Sequence, residues 1–149
     1  GLFAPRWRGD ARGLIAGLTR FSNKGHIARA ALEAAAFQTR EVLAAMMADA
    51  GVDIGALRVD GGMAANDLLM QFQADINDAP VVRPRQLELT AVGAAYAAGL
   101  AVGVYRSLDD IVAHARESRR FTPDMTPQER LRLIASWEKA VERSLGWAI

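Results

Sequence analysis

At 149 residues, 51% of them apolar and 23% charged, the chain is long enough for one domain with its own hydrophobic core. Its net charge of +1 gives no electrostatic reason to expect nucleic acid or an anionic membrane as a partner. The absence of cysteine excludes disulfides, zinc–thiolate sites and thiol nucleophiles, and no apolar run reaches the ~18 residues of a spanning helix.

The first residue is Gly1 rather than Met, and the loop-like stretch Leu2-Phe3-Ala4-Pro5-Arg6-Trp7-Arg8-Gly9-Asp10 follows it with nothing upstream to pack against. Both features read as a piece of a longer polypeptide. No signal-peptide pattern opens the chain, so a cytoplasmic location is the expectation.

Gly13-Leu14-Ile15-Ala16-Gly17-Leu18 is a short apolar run bounded by glycines and predicts a buried strand or extended segment. Ser22-Asn23-Lys24-Gly25 then supplies the N-cap of a helix from His26 to about Ala50, which Gly51 closes. Apolar residues from Ile27 to Met46 cover most of its circumference, which predicts burial on more than one side. Leu57-Arg58-Val59 predicts a second strand, Asn66 to about Ile76 a helix broken at Asp78-Ala79-Pro80, and Val81-Val82-Arg83-Pro84 a third strand. The helix from Thr90 is made of very small residues, and its glycines predict close approach to a neighbouring backbone.

Two further helices carry start signals. Ser107 with Asp110 resembles a cap, and Thr126-Pro127-Gln128-Glu129 predicts a full capping box ahead of Leu131, Ile134, Trp137, Val141 and Leu145. Alternating strands and helices followed by two trailing helices predict an α/β layer architecture, helix-rich with a small sheet.

The chemistry is concentrated at Asp60-Gly61-Gly62-Met63-Ala64-Ala65-Asn66. A strand that ends in two glycines and opens a helix leaves backbone N–H groups exposed with no Cβ to keep a ligand away. The following helix N-terminus adds unpaired donors and partial positive charge, which suits phosphate. Neither a Walker A lysine nor the G-x-G-x-x-G spacing is present. On the residues alone, a tight turn that simply needs glycine remains the competing reading.

Gly13 to Leu18, seven further residues, and then His26-Ile27-Ala28-Arg29-Ala30-Ala31-Leu32-Glu33 resemble the second signature of the FGGY carbohydrate kinases. The Gly61-Gly62 turn lies where that family keeps its adenosine-contacting motif. Finer features resemble the glycerol kinases among them: Ala4-Pro5 with Trp7, Ala11-Arg12-Gly13, Gly17-Leu18-Thr19-Arg20, Leu57 to Gly62, Leu69 to Ile76, Thr90 to Tyr96, and the closing Gly146-Trp147. Phe3 and Arg6 depart from the family, standing where a glycine and an aromatic residue are usual.

The resemblance implies an actin-like (ribonuclease H-like) ATPase fold of two α/β domains, with residues 1–149 forming the later part of the C-terminal FGGY domain. It implies transfer of the ATP γ-phosphoryl group, with Mg²⁺, to glycerol, ADP remaining in the site, in a full-length enzyme that is a homo-oligomer. By position, Gly62 approaches the nucleotide phosphates, Asn66 hydrogen-bonds to the nucleoside and Gly61 keeps the turn open. The catalytic aspartate and the glycerol-binding residues are implied to lie upstream of Gly1, so no catalytic residue and no metal ligand is assigned here. Asp60 is read as structural, His26 and Glu33 as capping and packing groups, and Trp7, Trp137 and Trp147 as core or domain-packing aromatics. Arg116, Arg119 and Arg120 read as a solvated surface, and His26 with His114 lacks ligand spacing. A different FGGY kinase, acting on xylulose or gluconate, and a non-catalytic C-terminal interaction module are the competing functions.

Overall fold

The computed structural model of the chain describes residues 1–113 and 117–148, the side chains of Glu117 and Ser118 excepted. The elements run α1 (Lys24–Ala50), β1 (Leu57–Arg58), a 3₁₀ turn (Gly62–Ala65), α2 (Asp67–Asn77), β2 (Val81–Pro84), α3 (Leu89–Ala101), α4 (Leu108–Val112), β3 (Glu117–Phe121) and α5 (Pro127–Arg143). They fall in two compact units: Gly1–Ile54 with Asp75–Asn77 and Asp124–Ile149, and Gly55–Ala74 with Asp78–Pro123. Among the described residues, no helix is long and apolar enough to cross a membrane.

In the first unit, α1 starts as its cap residues predict. The Asn23 side chain accepts from the Gly25 and His26 N–H groups at 2.9 and 3.3 Å, and His26 Nδ1 accepts from the Asn23 N–H at 3.2 Å. Burial on several sides does not occur, since Ala36, Phe37 and Leu43 alone are buried along α1 and Met46 is 58% exposed. An apolar surface spread around the whole circumference is covered only on the face a neighbour reaches. On that face Phe37 stacks on Trp137 of α5, with ring centroids 5.0 Å apart and the planes 6° from parallel. Trp137 Nε1 donates to Glu41 Oε1 at 2.7 Å, and Arg6 donates to the same oxygen at 2.7 and 3.1 Å.

The Thr126 side chain caps α5 through the Glu129 N–H at 3.3 Å, with Pro127 in the first helical position. The reciprocal half of the expected capping box is replaced: Glu129 takes the Arg132 guanidinium at 2.9 and 2.5 Å. A fork of charged donors one turn away outcompetes a single neutral backbone N–H for that carboxylate. The two ends of the unit are joined at Asp10. Its carbonyl accepts from the Trp147 and Ala148 N–H groups, and its Oδ2 accepts from the Gly146 N–H at 2.7 Å.

Two further expectations of burial fail among the described residues of this unit. Residues 13–18 form no strand, and Leu14, Ile15 and Leu18 are exposed. Trp7 and Trp147 are 72% and 65% exposed rather than core residues. In both cases the apolar surface is present and the described chain supplies nothing to cover it.

The second unit is built on a mixed sheet of order β1-β2-β3. β1 and β2 are parallel, with Leu57 opposite Val81, while β2 and β3 are antiparallel, with Val81 opposite Phe121. Val81, Val82 and Phe121 of the sheet and Leu69, Met70 and Phe72 of α2 are buried. β3 is a strand that the sequence pattern did not predict. Close approach in α3 is realised at Gly99, where a Cβ would stand 2.6 Å from the Tyr105 ring, so the neighbour is a side chain rather than a backbone. Gly93 faces open space.

Candidate functional site

β1 delivers the chain into the Gly61-Gly62 turn, and the two glycines are there for different reasons. Gly61 has φ 79° and ψ 174°, a conformation in effect reserved for glycine. Its N–H donates to the Leu87 carbonyl at 2.8 Å, and its carbonyl accepts from the Ala64 N–H at 3.1 Å. Gly62 has no such demand: apart from the turn's own adjoining residues, no described atom lies within 4 Å of where its Cβ would be. Gly62 and Met63 begin the 3₁₀ turn, whose first N–H groups have no acceptor within the turn itself.

The turn does not run straight into α2, as the sequence suggested. Four residues of 3₁₀ helix intervene, and Asn66 ends them and caps α2 rather than sitting one turn inside it. Its Oδ1 accepts from the Leu69 N–H at 3.0 Å. The side-chain oxygen is therefore committed to the cap, which leaves the NH₂, a donor only, as the part of the amide outside it. The backbone thus brings Gly61, Gly62 and Asn66 onto one short turn. Asp60 beside them is exposed.

An ion-pair cluster that the sequence reading missed supports this turn. The Arg83 guanidinium, on β2, donates through Nη1 to the Ala64 carbonyl at 3.0 Å, the Ala65 carbonyl at 3.3 Å and Asp67 Oδ1 at 2.7 Å. Arg119, on β3, donates to Asp67 Oδ2. The Arg83 and Arg119 guanidinium carbons lie 5.3 and 4.6 Å from the Phe121 ring centroid. The hydrogen bond from Arg83 is the main reason the Asp67 carboxyl is held below its ordinary value; desolvation opposes it, and the Arg119 and Arg83 charges add to the lowering. Ala65, Arg83, Pro84, Arg85 and Leu87 line an open recess beside the turn. One signal could have exposed this cluster: an arginine between Val82 and Pro84, inside an otherwise apolar strand.

The other polar candidates do not join the turn. His26 is spent on the α1 cap, and Glu33 pairs with Arg29 one helical turn away at 2.5 Å. Arg119 and Arg120 are exposed, while Arg116 and His114 lie outside the described residues. Among the described residues, no group of three or more His, Asp or Glu is arranged to hold a metal ion.

A short strand, a glycine turn with unpaired amides and a capped helix make this an α/β domain able to take an anionic group on backbone donors. The C-terminal-domain profile of the FGGY family of carbohydrate kinases matches residues 1–102, and the chain belongs to that family. It is 65% identical over 147 residues to the glycerol kinase of Brucella anthropi, covering 99% of this chain and 30% of that protein. Among solved structures, Plasmodium falciparum glycerol kinase with ADP superimposes with a TM-score of 0.87 at 40% identity, over 98% of this chain and 29% of that one. The gluconate kinase of Lactobacillus acidophilus gives 0.72 at 26% identity, over 94% and 29%. The chain therefore spans about 30% of the length of the curated relatives it matches.

Proposed function

We propose that residues 1–149 are the later part of the C-terminal, nucleotide-binding domain of an actin-like kinase that transfers the γ-phosphoryl group of ATP to glycerol, giving glycerol 3-phosphate. The observation that carries this reading is the 65% identity to a glycerol kinase over nearly the whole chain, with the glycine turn intact. The substrate class is supported by the gap between a glycerol kinase structure, at 40% identity, and a gluconate kinase structure, at 26%.

In this reading the turn is one wall of the nucleotide site. Gly61 fixes the turn through its backbone conformation, Gly62 lets the phosphates approach the first amides of the 3₁₀ turn, and the Asn66 NH₂ donates to the nucleoside. The openness around the Gly62 Cβ position and the positive end of α2 both suit an anionic ligand. Mg²⁺, when bound with ATP, neutralises charge on the transferring phosphoryl group. In this reading its ligands and the base for the glycerol hydroxyl lie in the part of the enzyme that this chain does not span. This chain alone is expected to have no kinase activity and to bind ATP weakly.

The test uses the full-length enzyme. It should phosphorylate glycerol in preference to xylulose and gluconate, and Gly62→Val should raise the KM for ATP at unchanged glycerol KM. Phosphorylation of xylulose or gluconate but not glycerol would refute the substrate, and an unchanged ATP KM would refute the role of the turn.

A further inference from the structure

We propose that Arg83 is a positioning residue for nucleotide binding, one that holds the Gly61–Asn66 turn in shape from the neighbouring strand without touching the ligand. The inference rests on the reading of that turn as the nucleotide wall and adds a residue to it.

Arg83 meets the two geometric demands of such a role. Its side chain is 14% exposed, so the guanidinium is held by its surroundings rather than waving in solvent. Its Nη1 gathers the last two carbonyls of the 3₁₀ turn, those of Ala64 and Ala65, together with the first carboxylate of α2. Those carbonyls lie at the opposite end of the turn from Gly61, whose N–H is held by Leu87. Both anchors come from β2 and the residues just after it. The turn is therefore clamped at one end by β2 and at the other by the loop that follows it, with Gly62, Met63 and the Asn66 cap between the clamps.

Charge decides between positioning and direct contact with phosphate. The Asp67 carboxylate lies 2.7 Å from Arg83 and is also paired with Arg119. An arginine whose Nη1 already serves a carboxylate and two carbonyls has its charge answered locally and offers that nitrogen to no phosphate. What it does supply is rigidity. Amide donors contribute to binding a phosphate only if they are already aimed, and a turn free to rearrange loses that pre-organisation on each binding event. Lysine keeps the charge and three donors on one nitrogen but loses the planar, delocalised guanidinium that rests near the Phe121 ring, so it replaces the function only in part.

The experiment compares Arg83→Met, Arg83→Lys and Gly62→Val in the full-length kinase, reading KM for ATP, KM for glycerol, kcat and the melting temperature with and without ADP. Arg83→Met should raise the ATP KM about tenfold, the loss expected for one charge-assisted hydrogen bond. The glycerol KM should stay within about twofold, and Arg83→Lys should fall between parent and Met. If Arg83→Met does not fold, Arg83→Lys carries the test through a smaller rise in ATP KM at unchanged glycerol KM. An unchanged ATP KM in the folded variants overturns the proposal. So does a proportional rise in both KM values with the same fall in melting temperature with and without ADP, which marks a merely structural arginine. Gly62→Val separates the two levels of inference. If it raises the ATP KM while the Arg83 variants do not, the positioning role alone fails; if Gly62→Val has no effect, the nucleotide wall itself fails.

Discussion

Two glycine-bounded stretches of this chain look alike on paper and behave in opposite ways. The stretch Gly13–Leu18 and the turn Gly61–Asn66 each contain a glycine with φ near +80°, Gly17 and Gly61. The turn is bonded at Gly61, Ala64, Ala65 and Asn66 by partners within a few dozen residues. The earlier stretch has no regular secondary structure and is exposed, with Ile15 at 66% and Leu18 at 58%. The difference shows that a motif takes its final form where its partners are at hand. Under the proposed function, Gly13–Leu18 finds its strand partners in the part of the kinase that this chain does not span.

The largest effect expected on the turn side comes from its support. Phe72 of α2 is 3% exposed, and Phe72→Ala should destabilise the chain by about 3–5 kcal/mol in urea unfolding. A loss below about 1 kcal/mol would break the comparison by showing that the turn's unit is not packed. Next comes a matched pair of glycine substitutions. Gly61→Ala should cost about 1–3 kcal/mol, because the surrounding bonds force the conformation, while Gly17→Ala should cost less than about 1 kcal/mol, because an unpacked segment relaxes. Equal losses at the two sites would contradict the distinction.

Smaller still is the effect of acid on the Asp67 cluster. Asp67 is held below its ordinary value by Arg83 and Arg119. Its contribution is therefore present above the ordinary carboxylate range and is lost as pH falls through the lowered value. The difference in urea midpoint between the parent chain and Asp67→Asn should be flat from pH 8 to about pH 5 and shrink only in stronger acid. A difference that changes between pH 8 and 6 would contradict the assignment. Smallest of all, Ile15→Ser should alter the stability of this chain by less than about 0.5 kcal/mol, as an exposed side chain does, yet destabilise the full-length enzyme.

What the sequence made legible follows the same rule of local partners. Three helices were readable from their starts because Asn23, Ser107 and Thr126 bond to N–H groups two or three residues ahead. β1 and β2 were readable from short apolar runs. β3 was not, because its sequence Glu-Ser-Arg-Arg-Phe has no apolar alternation, and among its described side chains Phe121 alone is deeply buried. Its arginine at 119 lies over the Phe121 ring, a cover that no hydropathy pattern registers. At the site, the glycines and Asn66 stood out by residue type. Arg83 and Arg119 did not, since they reach Asp67 across 16 and 52 residues of sequence.

The most direct test of the central claim is hydrogen–deuterium exchange on the full-length enzyme with and without ADP. If Gly61–Asn66 is a wall of the nucleotide site, amides of residues 61–66 should gain protection on ADP binding, while residues 13–18 should exchange at the same rate in both states. Unchanged exchange across residues 61–66 in an enzyme saturated with ADP would contradict the account.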